Sequence, residues 1–330
     1  MPDLSSPAAF PDRPPARPAV LGPALALLLA LVVVALIVGP ASATDVTFET
    51  LAWIRAPRVV AAILVGAALA ASGASLQVAF RNPLAAPDLL GVSAGAACGA
   101  AFAILAGFGQ AALQGSAFAG ALGAAGLVWA LARWIRIGDA TLALVLSGIG
   151  VAALASAVLA LVSYLSDPAR QLPAITYWLL GSLAAGSATE LIVAGLAMAL
   201  GLTILWFARW RINLLALPDE EVRALGADPV RLRWVALAGA ALAAAAAVAL
   251  AGVVGWVGLL VPHAARRITG AEFSRLLPLA ALTGAIFLLA VDTLGRVAFP
   301  IDLPPGVSSA LFGVPGLLWL LASRPRESGR

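Results

Sequence analysis

Lysine is absent from this sequence of 330 residues: all 20 basic side chains are arginine. A P-loop grips nucleotide phosphates through a lysine, so this chain cannot hydrolyse ATP with that motif. One cysteine, Cys98, and one histidine, His263, are too few for a disulfide, a zinc site of ordinary composition or an H-E-x-x-H protease helix. Charge is scarce too, at 11% of residues against 62% apolar, which points to lipid as the main solvent. No nucleophile and base pair stands out, so a membrane-embedded enzyme lacks its machinery, and no cofactor is expected.

What is present is a series of apolar runs, each near the roughly 20 residues that cross about 30 Å of hydrocarbon. They lie at 19–38, 59–79, 89–107, 112–132, 140–163, 188–208, 234–252, 276–294 and 306–323. The fold class is therefore all-α, a polytopic membrane protein. Pro40-Ala41-Ser42-Ala43 resembles a signal cleavage site, but the preceding run is longer than a signal core of about 7 to 15 residues and many more spans follow. Residues 1–18 and 324–330 are expected as cytoplasmic tails, the first disordered, and 19–323 as one transmembrane domain.

Arginine placement decides whether Gly252 to Ala265 also crosses. If it does, there are ten spans with both termini cytoplasmic, and only Arg55, Arg58, Arg170 and Arg296 remain outside; if it does not, the arginines divide almost evenly. The positive-inside rule favours ten. This eighth span is expected to be short or partly unwound, because Gly252, Gly255 and Gly258 form helix poorly and Pro262 interrupts the ladder. It either lines a pathway or packs closely through small residues. Gly91, Gly95 and Gly99 read as a packing face in span three. Arg58 to Gly73 and Arg233 to Gly252 open alike, which reads either as an inverted repeat relating spans 2–5 to 7–10 or as chance among alanines.

Three of the four outer arginines, Arg55, Arg58 and Arg296, lie at the same outer face. An acidic docking partner is one explanation; neutralisation by Asp292, Asp45 and Glu49 is the other. The longest hydrophilic interruption, 209–233, is cytoplasmic and holds Leu217, Pro218, Asp219, Glu220, Glu221, Val222, Arg223, Ala224, Leu225 and Gly226. This reads as a short helix with Pro218 in the first turn, acids at its positive end and Gly226 as the C-terminal cap. Such a helix either seats in a groove of a partner or is a connector.

Arg55 to Pro57-Arg58, Gln77 to Leu84, Gly255 to Gly270 and Asp292 to Arg296, with Leu303-Pro304-Pro305-Gly306-Val307 and Gly313-Val314-Pro315, closely resemble signature stretches of permeases of type II ABC importers for iron siderophores, haem and vitamin B12. The likeness runs in order from about Arg55 to the C-terminus. Pro218-Asp219 departs from the family's usual Gly-Glu, Trp256 from a usual Phe, and Gly316 from a common aromatic.

The resemblance implies a second permease chain, identical or a paralogue, two cytosolic ABC ATPase subunits, and a periplasmic or lipid-anchored substrate-binding protein, with the permease in the bacterial inner membrane. Arg55, Arg58 and Arg296 would then meet glutamates of the binding protein, and 217–226 would be the coupling helix. Asn82 and Leu84 match one cytoplasmic gate; Asp139, Ala140 and Thr141 more loosely match a second. No metal ligand set is expected, since one imidazole, His263, cannot select iron. The implied cargo is a ferric siderophore or related chelate moved by alternating access, with haem and cobalamin as alternatives. The rival class, an ion-coupled secondary transporter, needs acids at mid-membrane, whereas those here fall near span ends.

Overall fold

A computed structural model describes residues 20–38, 47–135, 140–184, 186–299 and 301–323. The expected tails, 1–18 and 324–330, lie outside these residues. The helices are α1 (Leu21–Ile37), α2 (Ala56–Ala79), α3 (Val92–Leu105), α4 (Gln110–Trp134), α5 (Ala140–Leu165), α6 (Gln171–Leu180), α7 (Ala188–Ile212), α8 (Asp219–Ala224), α9 (Pro229–Ala251), α10 (Val257–Thr269), α11 (Phe273–Val297) and α12 (Pro305–Ala322). No strand occurs among the described residues. The ends carry ordinary stop and start chemistry. Ser187 Oγ accepts from the Glu190 N–H to cap α7, and Asp228 Oδ1 accepts from the Val230 N–H to cap α9, where Pro229 takes the first position.

Every plain apolar run of the sequence is a helix. Helices α2, α4, α5, α7, α9 and α11 are long and apolar enough to cross a membrane, and α1, α3 and α12 are shorter apolar helices. The eighth expected span resolves into a non-helical stretch, 252–256, followed by α10, which runs past Ala265 to Thr269 and contains Pro262. Thirteen helical residues reach about 20 Å, so hydrocarbon roughly 30 Å thick needs the non-helical stretch as well. Helix α6 was not expected, because ten residues are too few to register as a span.

Burial separates a centre from a rim. Of their most apolar windows, α2 and α9 bury 78% and 72%, whereas α7 buries 17%. In lipid the apolar effect cannot drive helices together, so close backbone approach and interhelical hydrogen bonds must. Alanine makes this approach possible along α9, where Ala236, Ala240, Ala243, Ala244 and Ala247 have no exposed surface. Ser72 Oγ donates to the Ala240 carbonyl and Ser75 Oγ to that of Ala236, so α2 and α9 run antiparallel.

The same logic joins α2 to α11. A Cβ added at Gly66 would lie 2.3 Å from the Gly284 carbonyl oxygen, and one at Gly284 would lie equally close to that of Gly66. In α3, Gly95 and Gly99 press on α4 through Gly120 and Ser116, as the packing face predicts. Gly91 is a correction to that face: with φ +68° it forms the left-handed turn that starts α3.

Candidate functional site

Four places carry the chemistry. At the first, α2 is entered through a helical turn, Phe48–Thr50, and a π-turn, Leu51–Arg55. The wide turn carries Arg55 back to α1, where its NH1 donates to the carbonyls of Leu36 (2.8 Å) and Ile37 (2.7 Å), which the helix end leaves unpaired. Arg58 spans two acids: Nε and NH2 reach Asp292 at 3.0 and 2.8 Å, and NH1 and NH2 reach Asp302 at 2.6 and 2.8 Å. Arg296 Nε reaches the other oxygen of Asp292 at 3.1 Å. Asp292 is thus buried between two guanidiniums, while the Asp302 side chain is 51% exposed.

These contacts bring Arg58 and Arg296 together and set Arg55 apart. Neutralisation by Asp292 is present as the sequence suggested, and Arg55 and Arg296 are buried in this chain. Asp302 was missed. Its only linear signal is an acid isolated among Pro and apolar residues after α11.

The second place is a groove of about 730 Å³ between the end of α6, the 252–256 stretch and α12. Val253, Gly255, Trp256, Val307, Ala310 and Val314 are among its walls. Non-helical backbone at membrane depth is tolerated where it is buried in protein or faces such a cavity. The close-packing expectation for the broken span holds at Gly258, and other residues of the span face the groove. Gly255 and Trp256 face the groove, while Gly258 packs so closely on α2 that a Cβ at Gly73 would lie 1.8 Å from its carbonyl oxygen.

Trp256 has φ +70°, a left-handed conformation that costs a bulky residue about 1 to 3 kcal/mol. Gly313 of α12 leaves room for it; a Cβ there would stand 2.7 Å from the Trp256 Cβ. Nothing in the linear pattern marks this strain beyond a glycine before the tryptophan.

At the third place, Asp219 opens α8 and receives Arg233 NH1 at 2.9 Å and NH2 at 2.6 Å, and it also pairs with Arg81. Arg81, at φ +49° just past α2, further donates from Nε to the Leu215 carbonyl at 2.9 Å, and Arg233 Nε reaches the Ala79 carbonyl at 3.3 Å. The Arg233 hydrogen bond, above all, holds the Asp219 carboxyl below the usual carboxylate range; burial opposes it, and Arg81 adds to it.

Pro218 sits one position earlier than expected, at the N-cap, and Asp219 takes the first turn. Gly226, at φ +78°, stops the helix. Val222 is buried, while Glu220, Glu221, Arg223, Ala224 and Leu225 face outward. Arg81 and Arg233, the partners of Asp219, were not found from sequence.

At the fourth place, Asn82 Oδ1 accepts from the Leu84 N–H at 2.9 Å, a side-chain turn that leaves Leu84 56% exposed. Ala140 and Thr141 open α5, and Asp139 lies outside the described residues. His263 is buried within α10. Among the described residues no group of three or more His, Cys, Asp or Glu is placed to hold a metal ion.

A family model of the FecCD transport family matches residues 22–323. The chain belongs to the FecCD transport family. Among its relatives, an iron chelatin transport system permease of Helicobacter pylori is 42% identical over 268 residues, 81% of each chain. A hemin transport system permease of Yersinia pestis is 39% identical, over 92% of this chain and 96% of its own. A solved structure described as a metal-chelate type ABC transporter in an inward-facing conformation matches with TM-score 0.85 at 34% identity, covering 93% of this chain and 99% of that one. This FecCD chain is a permease subunit of an ABC importer and a multi-pass inner-membrane protein. It is not catalytic: ATP hydrolysis belongs to a separate subunit.

Proposed function

We propose that this FecCD permease passes a ferric siderophore or related metal chelate to the cytoplasm by alternating access, through ten spans with both termini cytoplasmic. The observation that carries the proposal is the apolar groove where Gly255 and Trp256 face α12. Its leucine, valine, alanine and glycine walls suit the organic surface of an intact chelate, and its size suits a cargo larger than a bare ion. The names of the relatives supply the cargo class. Haem is the second reading, favoured by the hemin permease that matches along 92% of this chain.

In this reading a second permease chain completes the pathway, two ABC ATPase subunits receive α8, and a binding protein docks at the outer end. Arg55, Arg58 and Arg296 are the proposed docking residues. Arg58 is the one through which an incoming glutamate acts first, because it already holds the exposed Asp302 and can exchange it. Segment 217–226 is the proposed coupling helix, with Glu220, Glu221 and Leu225 presented to the ATPase. Asn82 and Leu84, with 139–141, are the proposed cytoplasmic gate.

The test is transport into liposomes holding the assembled complex, with cognate binding protein and labelled cargo inside the donor space. ATP-dependent accumulation of ferric siderophore is expected, and Arg58→Glu is expected to abolish the stimulation of ATP hydrolysis by binding protein while basal hydrolysis persists. Accumulation of haem alone would replace the cargo; uptake without an ATPase subunit would overturn the mechanism.

A further inference from the structure

The ends of α7 and α9, with Leu214, Gly226 and Ala227 of the segment that joins them, enclose a pocket of about 880 Å³ to which the steps above give no occupant. Ile204, Phe207 and Ala208 of α7 and Leu232 and Val235 of α9 form its apolar walls, and Arg211 and Arg231 stand in its rim. Both arginines are exposed, and neither takes part in an ion pair among the described residues. The one acid in the wall, Asp228, spends its Oδ1 on the N–H groups of Val230 (2.9 Å) and Arg231 (3.3 Å).

The pocket is not a purely aqueous feature. Ile204 lies eight residues before the end of α7 and Val235 six residues into α9, so the apolar walls reach about 12 Å and about 9 Å into the bundle from its charged end. Around the mouth, Phe207 and Trp210 are 78% and 61% exposed. Arg209 stacks on Trp206 with its guanidinium carbon 3.8 Å from the ring centroid. Aromatic rings with arginines at the end of an apolar helix mark the level of lipid headgroups.

We propose that this pocket binds an anionic phospholipid, with its phosphate between Arg211 and Arg231 and one acyl chain along Ile204, Phe207 and Val235. Charge complementarity selects the occupant: two unpaired guanidiniums favour a phosphate, and the apolar walls below them require a chain attached to it. A soluble protein surface would satisfy the arginines but would leave the deep walls uncovered. The occupant would tie α7 to α9 on either side of the coupling segment, whichever cargo the permease carries.

The test uses the purified full chain in neutral detergent, titrated with phosphatidylglycerol, phosphatidylcholine of the same acyl chains, or inorganic phosphate, and read by native mass spectrometry. Phosphatidylglycerol is expected to stay bound, and Arg211→Gln with Arg231→Gln is expected to weaken it about 30-fold, at roughly one arginine's surface attraction each. Phosphatidylcholine binding should not change, and Arg275→Gln, which breaks an exposed pair with Glu272 outside the pocket, should behave as the parent chain. If the double variant fails to fold, Val235→Trp, which fills the groove, must weaken phosphatidylglycerol instead. Equal retention by parent and variant would overturn the proposal, as would competition by inorganic phosphate as strong as by lipid. So would a double variant that keeps its lipid but loses affinity for the ATPase subunit, since the surface would then belong to that partner.

Discussion

The two ends of α2, outer and inner in the topology proposed above, carry the same motif in opposite conditions: one aspartate between two arginines. At the outer end Asp292 sits between Arg58 and Arg296, its side chain 1% exposed, and Asp302 completes a neutral set of two acids and two arginines. At the inner end Asp219 sits between Arg81 and Arg233 with 29% of its side chain exposed and no second acid. Buried and balanced, the outer set fastens α2 to α11 within the fold. The inner set, partly exposed and unbalanced by one positive charge, fastens a short surface helix to the ends of α2 and α9. Residue type is the same in both; depth and charge balance are what differ.

The largest effect should come from Asp292→Ala, which strands two guanidiniums with one exposed acid between them. Removing one partner of a buried ion pair costs about 3 to 5 kcal/mol, so thermal unfolding in detergent should shift strongly downward. An unchanged midpoint would mean that water already reaches the cluster.

Next, Asp219→Asn should lower the unfolding midpoint little, by about 1 kcal/mol or less, yet reduce ATP-driven uptake about tenfold by releasing α8. Uptake that follows the stability loss alone would make the inner cluster structural too. The pH dependence of that joint has a definite sign. Because the folded carboxyl titrates below its unfolded value, its contribution is complete above the usual carboxylate range and is lost only as pH falls through the folded value. Protease cleavage within 217–226 should therefore stay slow on acidification from about pH 7 through the usual carboxylate range near pH 4, and accelerate only below it. Acceleration already at mildly acidic pH would show that Asp219 is not held by its arginines.

The smallest effect on stability should come from Asp302→Asn, since half-exposed pairs contribute about 0 to 1 kcal/mol. The same change should let the binding protein stimulate ATP hydrolysis at lower concentration, because Arg58 no longer has to release a competitor. No change in that concentration would remove Asp302 from the docking exchange.

The sequence revealed helices readily, because a run of some 20 apolar residues has only one stable form in hydrocarbon. It also located Arg55, Arg58, Arg296, Asp292 and Asp219, since charge in so apolar a chain stands out, but it passed over Asp302. It did not reveal their partners. Asp219 reads locally as an acid at the start of a helix, yet Arg81 lies 138 positions away in sequence and meets it only because α2 and α9 run antiparallel. Asp302 lacked any helical spacing to Arg58, and α6 was too short for a hydropathy window. The strain at Trp256 depends on Gly313, on a helix distant in sequence, making room for it.

The backbone contact between Gly66 and Gly284 also divides α2. Gly66 stands eight residues from Arg58 and thirteen from Ala79, lengths of about 12 and about 20 Å. The Ala79 carbonyl at that inner end accepts from Arg233, which holds Asp219. Arg58 and the 217–226 segment are thus joined through one helix, held by close backbone contact at Gly66 and again at Gly73, with no flexible side chain needed to bridge the length between.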